Sequence, residues 1–206
     1  MMQNASRSKR LPPIESKQPD WEKKWSDAEF APWWHGQKPH AMVIEALARL
    51  KIPKSARWLD VGCGDGQLTC ALADQGMDMT GIDFAPSAIA LARAHAEKTG
   101  ASAQFAVADA MNGPIPGAPY DIVHDRGCLH TIRAPGVPLY ARTMRAHMKD
   151  HGRLLLAHKE DGKVPDLLGF LENGLKGFFT LEQARRMRFS ANGIEKAGLF
   201  CVFRAA

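Results

Sequence analysis

The sequence predicts an α/β protein: a mainly parallel sheet of seven strands, with helices on both faces and an antiparallel hairpin at its C-terminal end. Three observations carry this expectation. Short apolar runs of strand length alternate regularly with segments of helical period, which implies right-handed crossovers and parallel pairing. A turn with glycine at every second position, Gly62, Gly64 and Gly66, directly follows the first apolar run. The last stretch breaks the alternation, with "RFSANGIEKAGLFCVFRAA" reading as two strands joined by a turn.

The elements follow in order. "PHAMVIEALARLKI" places Met42, Val43, Ala46, Leu47 and Leu50 on one helical face, with Pro39 suited to a first turn. "ARWLDVG" reads as a buried strand, and "GQLTCALADQG" as a helix closed by Gly76. "MDMTGIDF" is a second strand, "APSAIALARAHAEKTG" a helix ending at Gly100, and "AQFAVADA" a third strand. "YDIVHDRG", "GVPLYARTMRAHM" and "GRLLLAHK" continue as strand, helix and strand. "DLLGFLENGLKGFF" is interrupted by glycines, and "TLEQARRM" reads as a helix with Thr180 as N-cap and Gln183 placed for a capping box.

Composition narrows the function classes. A chain of 206 residues suits one domain, and 45% hydrophobic with 24% charged residues is ordinary for a soluble protein. No apolar run approaches the roughly 18 residues that span a bilayer. Cys63, Cys70, Cys128 and Cys201 form neither a CxxC pair nor a metal-knuckle spacing, which favours a reducing compartment; the expected location is cytoplasmic and no metal site is expected. The net charge is +5, with Arg7, Lys9, Arg10 and Lys17 gathered near the start. Residues 1–20 read as a flexible basic tail. Residues 21–206 read as one domain, made of an aromatic N-terminal segment (21–39), a ligand-binding core (40–160) and a C-terminal segment with the closing hairpin (161–206). Nucleic-acid binding is disfavoured, because the remaining basic residues are interspersed with acids and no nucleic-acid module appears.

The glycine turn carries the chemistry. In a sheet of this kind the first strand-to-helix turn faces the ligand crevice beyond the strand ends. Asp83 closes the second strand about 20 residues later, where a carboxylate accepts hydrogen bonds from ribose hydroxyls, so a nucleoside is expected. "LDVGCGDGQL" gives GxGxG, and position 67, where the dinucleotide fingerprint GxGxxG needs its last glycine, is Gln. Asp60 and Asp65 would repel a pyrophosphate but favour a ligand bearing an ammonium and a sulfonium, as S-adenosylmethionine does.

From residue 40 to the end, and above all in "LDVGCGDGQLTCALADQGMDMTGIDFAPSAIALARAHA", the chain resembles the class I S-adenosylmethionine-dependent methyltransferases. The resemblance implies a Rossmann-like fold with S-adenosylmethionine as cofactor. It sets Gly62, Gly64 and Gly66 against the methionine part, Asp60 near its amino group, Asp83 on the ribose and Phe84 on the adenine. It also implies that Asp109 receives the adenine amino group while the N–H of Ala110 meets the ring. Plainer roles stand beside these: Asp60 as a helix cap or lysine partner, Asp65 as a turn former, Phe84 as core. Cys63 has no activating base in sight.

For the acceptor, the loop after the fourth strand is where contacts are sought. The tetrad Asn-Pro-Pro-Tyr of DNA adenine and glutamine N-methyltransferases is missing. "YDIVHDRGCLHTI" instead resembles the loop of small methyltransferases acting on thiols, thiopurines, halides, tellurite or selenium species, and "WEKKWSDAEFAPWWHGQKPH" resembles their aromatic lid. The departure is at Trp33-Trp34-His35, where that group has a tryptophan followed by an acid. A small-molecule acceptor, with a thiol or other soft nucleophile first, is therefore expected, and O- or N-methyl transfer in natural-product metabolism is the alternative. Outside this class stand a nucleotide-dependent oxidoreductase and a non-catalytic cofactor-binding or RNA-associated protein. His130 is the first candidate base and His35 the second, for acceptors that must lose a proton. Asp125 is expected to act in catalysis or against the cofactor, or to pair with Arg126. Trp33, Trp34, Arg126 and His130 are the candidate acceptor contacts. Trp21, Trp25, Trp33 and Trp34 form either a water-excluding lid or a staple for the N-terminal segment.

Overall fold

The computed structural model describes residues 18–32, 34, 41–160, 162 and 164–206. The expected basic tail up to residue 17, Trp33, His35 and Pro39 lie outside the described residues. The elements run α1 (Gln18–Trp25), α2 (Ala41–Leu50), β1 (Arg57–Val61), α3 (Gln67–Ala73), β2 (Asp78–Asp83), α4 (Pro86–Thr99), β3 (Ala103–Val107), β4 (Tyr120–Arg126), α5 (Val137–Ala146), β5 (Met148–Lys159), α6 (Leu167–Leu175), β6 (Phe179–Ala191) and β7 (Ile194–Ala205).

Seven strands form one sheet in the order β3-β2-β1-β4-β5-β7-β6. β1 to β5 pair in parallel, and β7 is antiparallel to both β5 and β6. The winding reverses between β1 and β4, so a crevice opens at the carboxyl ends of those two strands, where a ligand of such a sheet binds. Period-two alternation divides the core between the faces. Leu59, Val61, Val123, Leu154 and Leu156 pack on one face with α5 and α6, and Trp58, Ile122, Leu155 and Val202 pack on the other with α2 and α3. Among the described residues no helix is long and apolar enough to cross a membrane.

One element differs from the sequence expectation, and one segment that the sequence leaves unassigned gains a structure. "TLEQARRM" is not a helix but the middle of β6, paired with β7 along its length with one register shift between Leu181 and Gln183. Tertiary pairing overrides helix-forming residues here: Met187 and Phe189 are buried against the sheet, and Glu182 accepts both Arg153 Nε and Nη2 at 3.1 Å. The glycine-interrupted segment forms α6, capped by the Asp166 carboxylate accepting from Gly169 N at 2.9 Å. Leu167, Leu171 and Leu175 recur at helical spacing and are all buried. Gly174 is required by packing, since a Cβ there would lie 2.6 Å from Val137 Cγ1.

β7 is held on both sides, and its Phe203 is 1% exposed within the core. Phe203→Ala is expected to lower unfolding free energy by about 3–5 kcal/mol, read from urea denaturation. A loss below about 1 kcal/mol would show that this strand is peripheral to stability.

Candidate active site

The turn between β1 and α3 is built by handedness and by lack of room. Gly62, Gly64 and Gly66 have φ of 67°, 57° and 74°, the left-handed region that side chains avoid. Each also meets a different neighbour: a Cβ would come within 2.8 Å of Cys128 Cβ at Gly62, of Trp25 Cζ2 at Gly64 and of Ala92 Cβ at Gly66. The acceptor loop, α1 and α4 thus converge on one turn.

The acids around this turn are tied down. Asp60, 3% exposed, accepts from Thr69 Oγ1 at 2.6 Å through Oδ2, and His124 Nδ1 lies 2.9 Å from its Oδ1. Among the described residues it neither caps α3 nor pairs with a lysine. Asp83 accepts from Gly64 N at 3.1 Å and from Ala85 N at 3.0 Å; burial raises its carboxyl pKa, against the pull of those N–H groups. Asp65 accepts from Gln67 Nε2 at 2.8 Å. All three acids and Phe84 line a cavity at the switch point. Asp109 and Ala110 are not brought to its wall: the Asp109 carboxylate closes its own turn by accepting from Met111 N at 2.9 Å.

α1 covers the cavity. Trp21, Trp25 and Trp34 line it, with Trp25 edge-on to Phe30 at 5.1 Å and Trp21 6.1 Å from Trp34. Glu22 fastens the helix, accepting from Ser87 Oγ at 2.6 Å and from Ser87 N at 3.2 Å, so that its carboxylate sits at the N-terminus of α4.

The loop after β4 corrects one expectation. Asp125 is fully buried and does not line the cavity. Its carboxylate accepts from the backbone N of Gly127 (3.0 Å), Cys128 (2.9 Å) and Leu129 (3.0 Å) and from Tyr140 Oη (2.8 Å). It holds the loop rather than a ligand or Arg126. Burial drives its carboxyl up to about 6, although the bonds from Tyr140 and the loop backbone pull it down. Arg126 and His130 do line the cavity, and the His130 ring stands 5.8 Å from that of His158, edge to face. The Cys63 and Cys128 thiols are pushed well above their usual range by burial and by nearby acids. Sequence reasoning missed three groups: Lys159 and Phe189 on the cavity wall, and His124 behind Asp60.

Two measurements follow from these contacts. A carboxyl whose folded pKa lies above its unfolded value holds its proton more tightly in the native state, so its contribution to stability is present near pH 4 and declines as pH rises through about 6. In wild type minus Asp125→Asn, unfolding free energy is expected to fall between pH 4 and 7; a difference that rises over this range would reverse the assignment. Glu22→Ala is expected to raise acrylamide quenching of the tryptophans by freeing α1, with unchanged quenching showing that Glu22 does not hold the helix.

A family model described as "Methyltransferase domain" matches residues 59–152. A Homo sapiens "EEF1A lysine methyltransferase 2" is 30% identical over 168 residues, covering 78% of this chain and 70% of the relative. A "Ubiquinone biosynthesis O-methyltransferase" of Xylella fastidiosa (strain 9a5c) is 37% identical over 136 residues, 61% of this chain and 53% of the relative. The chain thus spans about half the length of that curated relative. The N-methyltransferase NodS of Bradyrhizobium japonicum WM9, solved with S-adenosyl-L-homocysteine, superposes with a TM-score of 0.69 at 17% identity, covering 91% of this chain and 97% of NodS. Likeness of this extent, on a sheet whose first turn is formed by three left-handed glycines beside tethered acids, places the chain in the class I S-adenosylmethionine-dependent methyltransferases.

Proposed function

We propose that this chain transfers a methyl group from S-adenosylmethionine to a small-molecule acceptor, with a thiol or other soft nucleophile preferred. The observation that carries the reading is the charge division of the cavity: Asp60, Asp65 and Asp83 stand on the side of the glycine turn, and His130 and Arg126 on the side of the acceptor loop. The first side suits a cationic cofactor, and the residues present fit one. Gly62 and Gly64 bring backbone without side chains to the cavity wall; Asp60 is assigned the amino group, Asp83 the ribose and Phe84 the adenine face. When bound, the cofactor supplies a methyl group on a positively charged sulfur.

The chain's own residues then position and exclude. Trp21 and Trp25 close the cavity from water and offer aromatic faces to positive charge, worth about 0.5–2 kcal/mol. Holding the acceptor in line with the departing sulfur supplies much of the acceleration, since near-attack orientation is worth about 7–11 kcal/mol. His130 accepts the proton of an acceptor that arrives protonated. With Asp125 turned into its own loop, the imidazole is, among the described residues, the group on the acceptor side of the cavity suited to that task, which favours acceptors that ionise readily. O- or N-methyl transfer is the second reading, favoured by the oxygen and lysine methyltransferases among the relatives.

Labelled methyl transfer to a panel of thiols, phenols and amines, by wild type and His130→Ala, separates the two. Transfer to thiols that survives the substitution is the expected result. Transfer confined to phenols or amines and lost in the variant would make the second reading correct. Asp83→Ala is expected to weaken S-adenosylhomocysteine binding at least about tenfold, and an unchanged affinity would sink the ribose assignment.

A further inference from the structure

The cavity contains two cations for which the cofactor-binding acids leave no use. Arg126 ends β4 and Lys159 ends β5, and both line the cavity. The register pairs Arg126 with Ala157. Lys159 lies two residues further along β5, so the period-two pleat puts it on the same face as Arg126, one step out from the crevice floor. Most other arginines of the described residues are in ion pairs, among them Arg57, Arg145, Arg153 and Arg185. Among the described residues, neither Arg126 nor Lys159 has a carboxylate within ion-pair distance. The cavity's own acids are engaged elsewhere, Asp60 with Thr69 and His124 and Asp83 with backbone N–H groups.

Beside the cations lies an apolar surface. Lys159 is paired with Gly198 of β7, and a Cβ at Gly198 would meet Phe189 Cε2 at 2.6 Å. The Phe189 ring therefore lies over the bare backbone at Gly198, the register partner of Lys159, and it too lines the cavity. A cationic pair flanked by an aromatic face binds a ligand with an anionic oxygen group attached to an apolar body.

We infer that the acceptor carries a carboxylate or phosphate group, held by Arg126 and Lys159, with its apolar part against Phe189. This rests on the methyltransferase reading above and names its acceptor class. Burial lowers the pKa of the half-buried guanidinium and the field of Asp60 opposes that shift, but no carboxylate is in ion-pair contact with it among the described residues, so a bound anion supplies the direct partner. Carboxylate and phosphate share the chemistry, and the competing source of an anion is the carboxylate of the cofactor itself.

The test uses the full chain saturated with S-adenosylhomocysteine and titrates benzoate, phenyl phosphate and neutral benzamide by calorimetry. Benzoate or phenyl phosphate is expected to bind about tenfold more tightly than benzamide, with the advantage lost in Lys159→Met and restored in Lys159→Arg. The stronger of the two anions identifies the group. S-adenosylhomocysteine affinity is expected to stay within about twofold of wild type in Lys159→Met, which also reports that the variant is folded. Benzamide binding as well as the anions, an anion preference that persists in both Lys159→Met and Arg126→Met, or no binding of any of the three would overturn the inference. So would a large fall in S-adenosylhomocysteine affinity in these variants without any anion preference, which would give the cations to the cofactor's carboxylate. Failure of wild type to bind S-adenosylhomocysteine at all would instead count against the methyltransferase reading.

Discussion

The constraint on which the site depends is steric. Three glycines in one turn adopt left-handed backbone, and the space each side chain would fill is taken by a separate part of the chain: Cys128 of the acceptor loop, Trp25 of α1 and Ala92 of α4. A side chain at any of the three must be accommodated twice, once by the backbone and once by the neighbour. The turn is therefore both the surface that meets the ligand and the point at which cover, floor and acceptor wall are set relative to one another. Glu22 adds a polar clamp to this apolar arrangement by joining α1 to the first turn of α4 through Ser87.

Electrostatics is arranged around the same turn. Burying Asp60 and Asp83 costs solvation, and that cost is offset by hydrogen bonds that also fix where the carboxylates point. Thr69 reaches Asp60 from α3, and the ring of His124 reaches it from β4, its register neighbour across the sheet. The negative side of the cavity is thus rigid. The positive side is formed by side chains at strand ends, whose terminal groups are not held by carboxylates among the described residues. The cavity thus has acids on its glycine-turn wall and Arg126 and Lys159 at the ends of β4 and β5.

Much of the fold was legible because buried parallel strands read as short apolar runs. "WLDV", "MTGID" and "DIVHD" announce β1, β2 and β4, and Gly100 with φ of 74° ends α4 where the sequence set its boundary. The end of β6 was legible in the hairpin pattern but its first part was not, since Leu181 to Met187 are good helix formers and only the partner strand β7 makes them extended. The site divides the same way. The glycine turn, Asp60 and Asp83 are local to one β-α-β unit and show in the sequence. Lys159 and Phe189 lie far along the chain, and reach the cavity only through the register of β5 and of the C-terminal hairpin. Asp125 was open to a better reading: neighbouring residues on a strand face opposite ways, so with Arg126 turned to the cavity, Asp125 must turn from it.

The buried Asp125 hub separates the frame of the acceptor loop from the lining of the cavity. One carboxylate gathers the amides of three successive loop residues and the hydroxyl of Tyr140, so much of the loop's path is set by backbone bonds to a single buried group. The side chains at positions 126, 159 and 189 are carried by β4, β5 and β6 and take no part in these bonds, so exchanging them changes the cavity wall and leaves the hydrogen bonds of the hub in place.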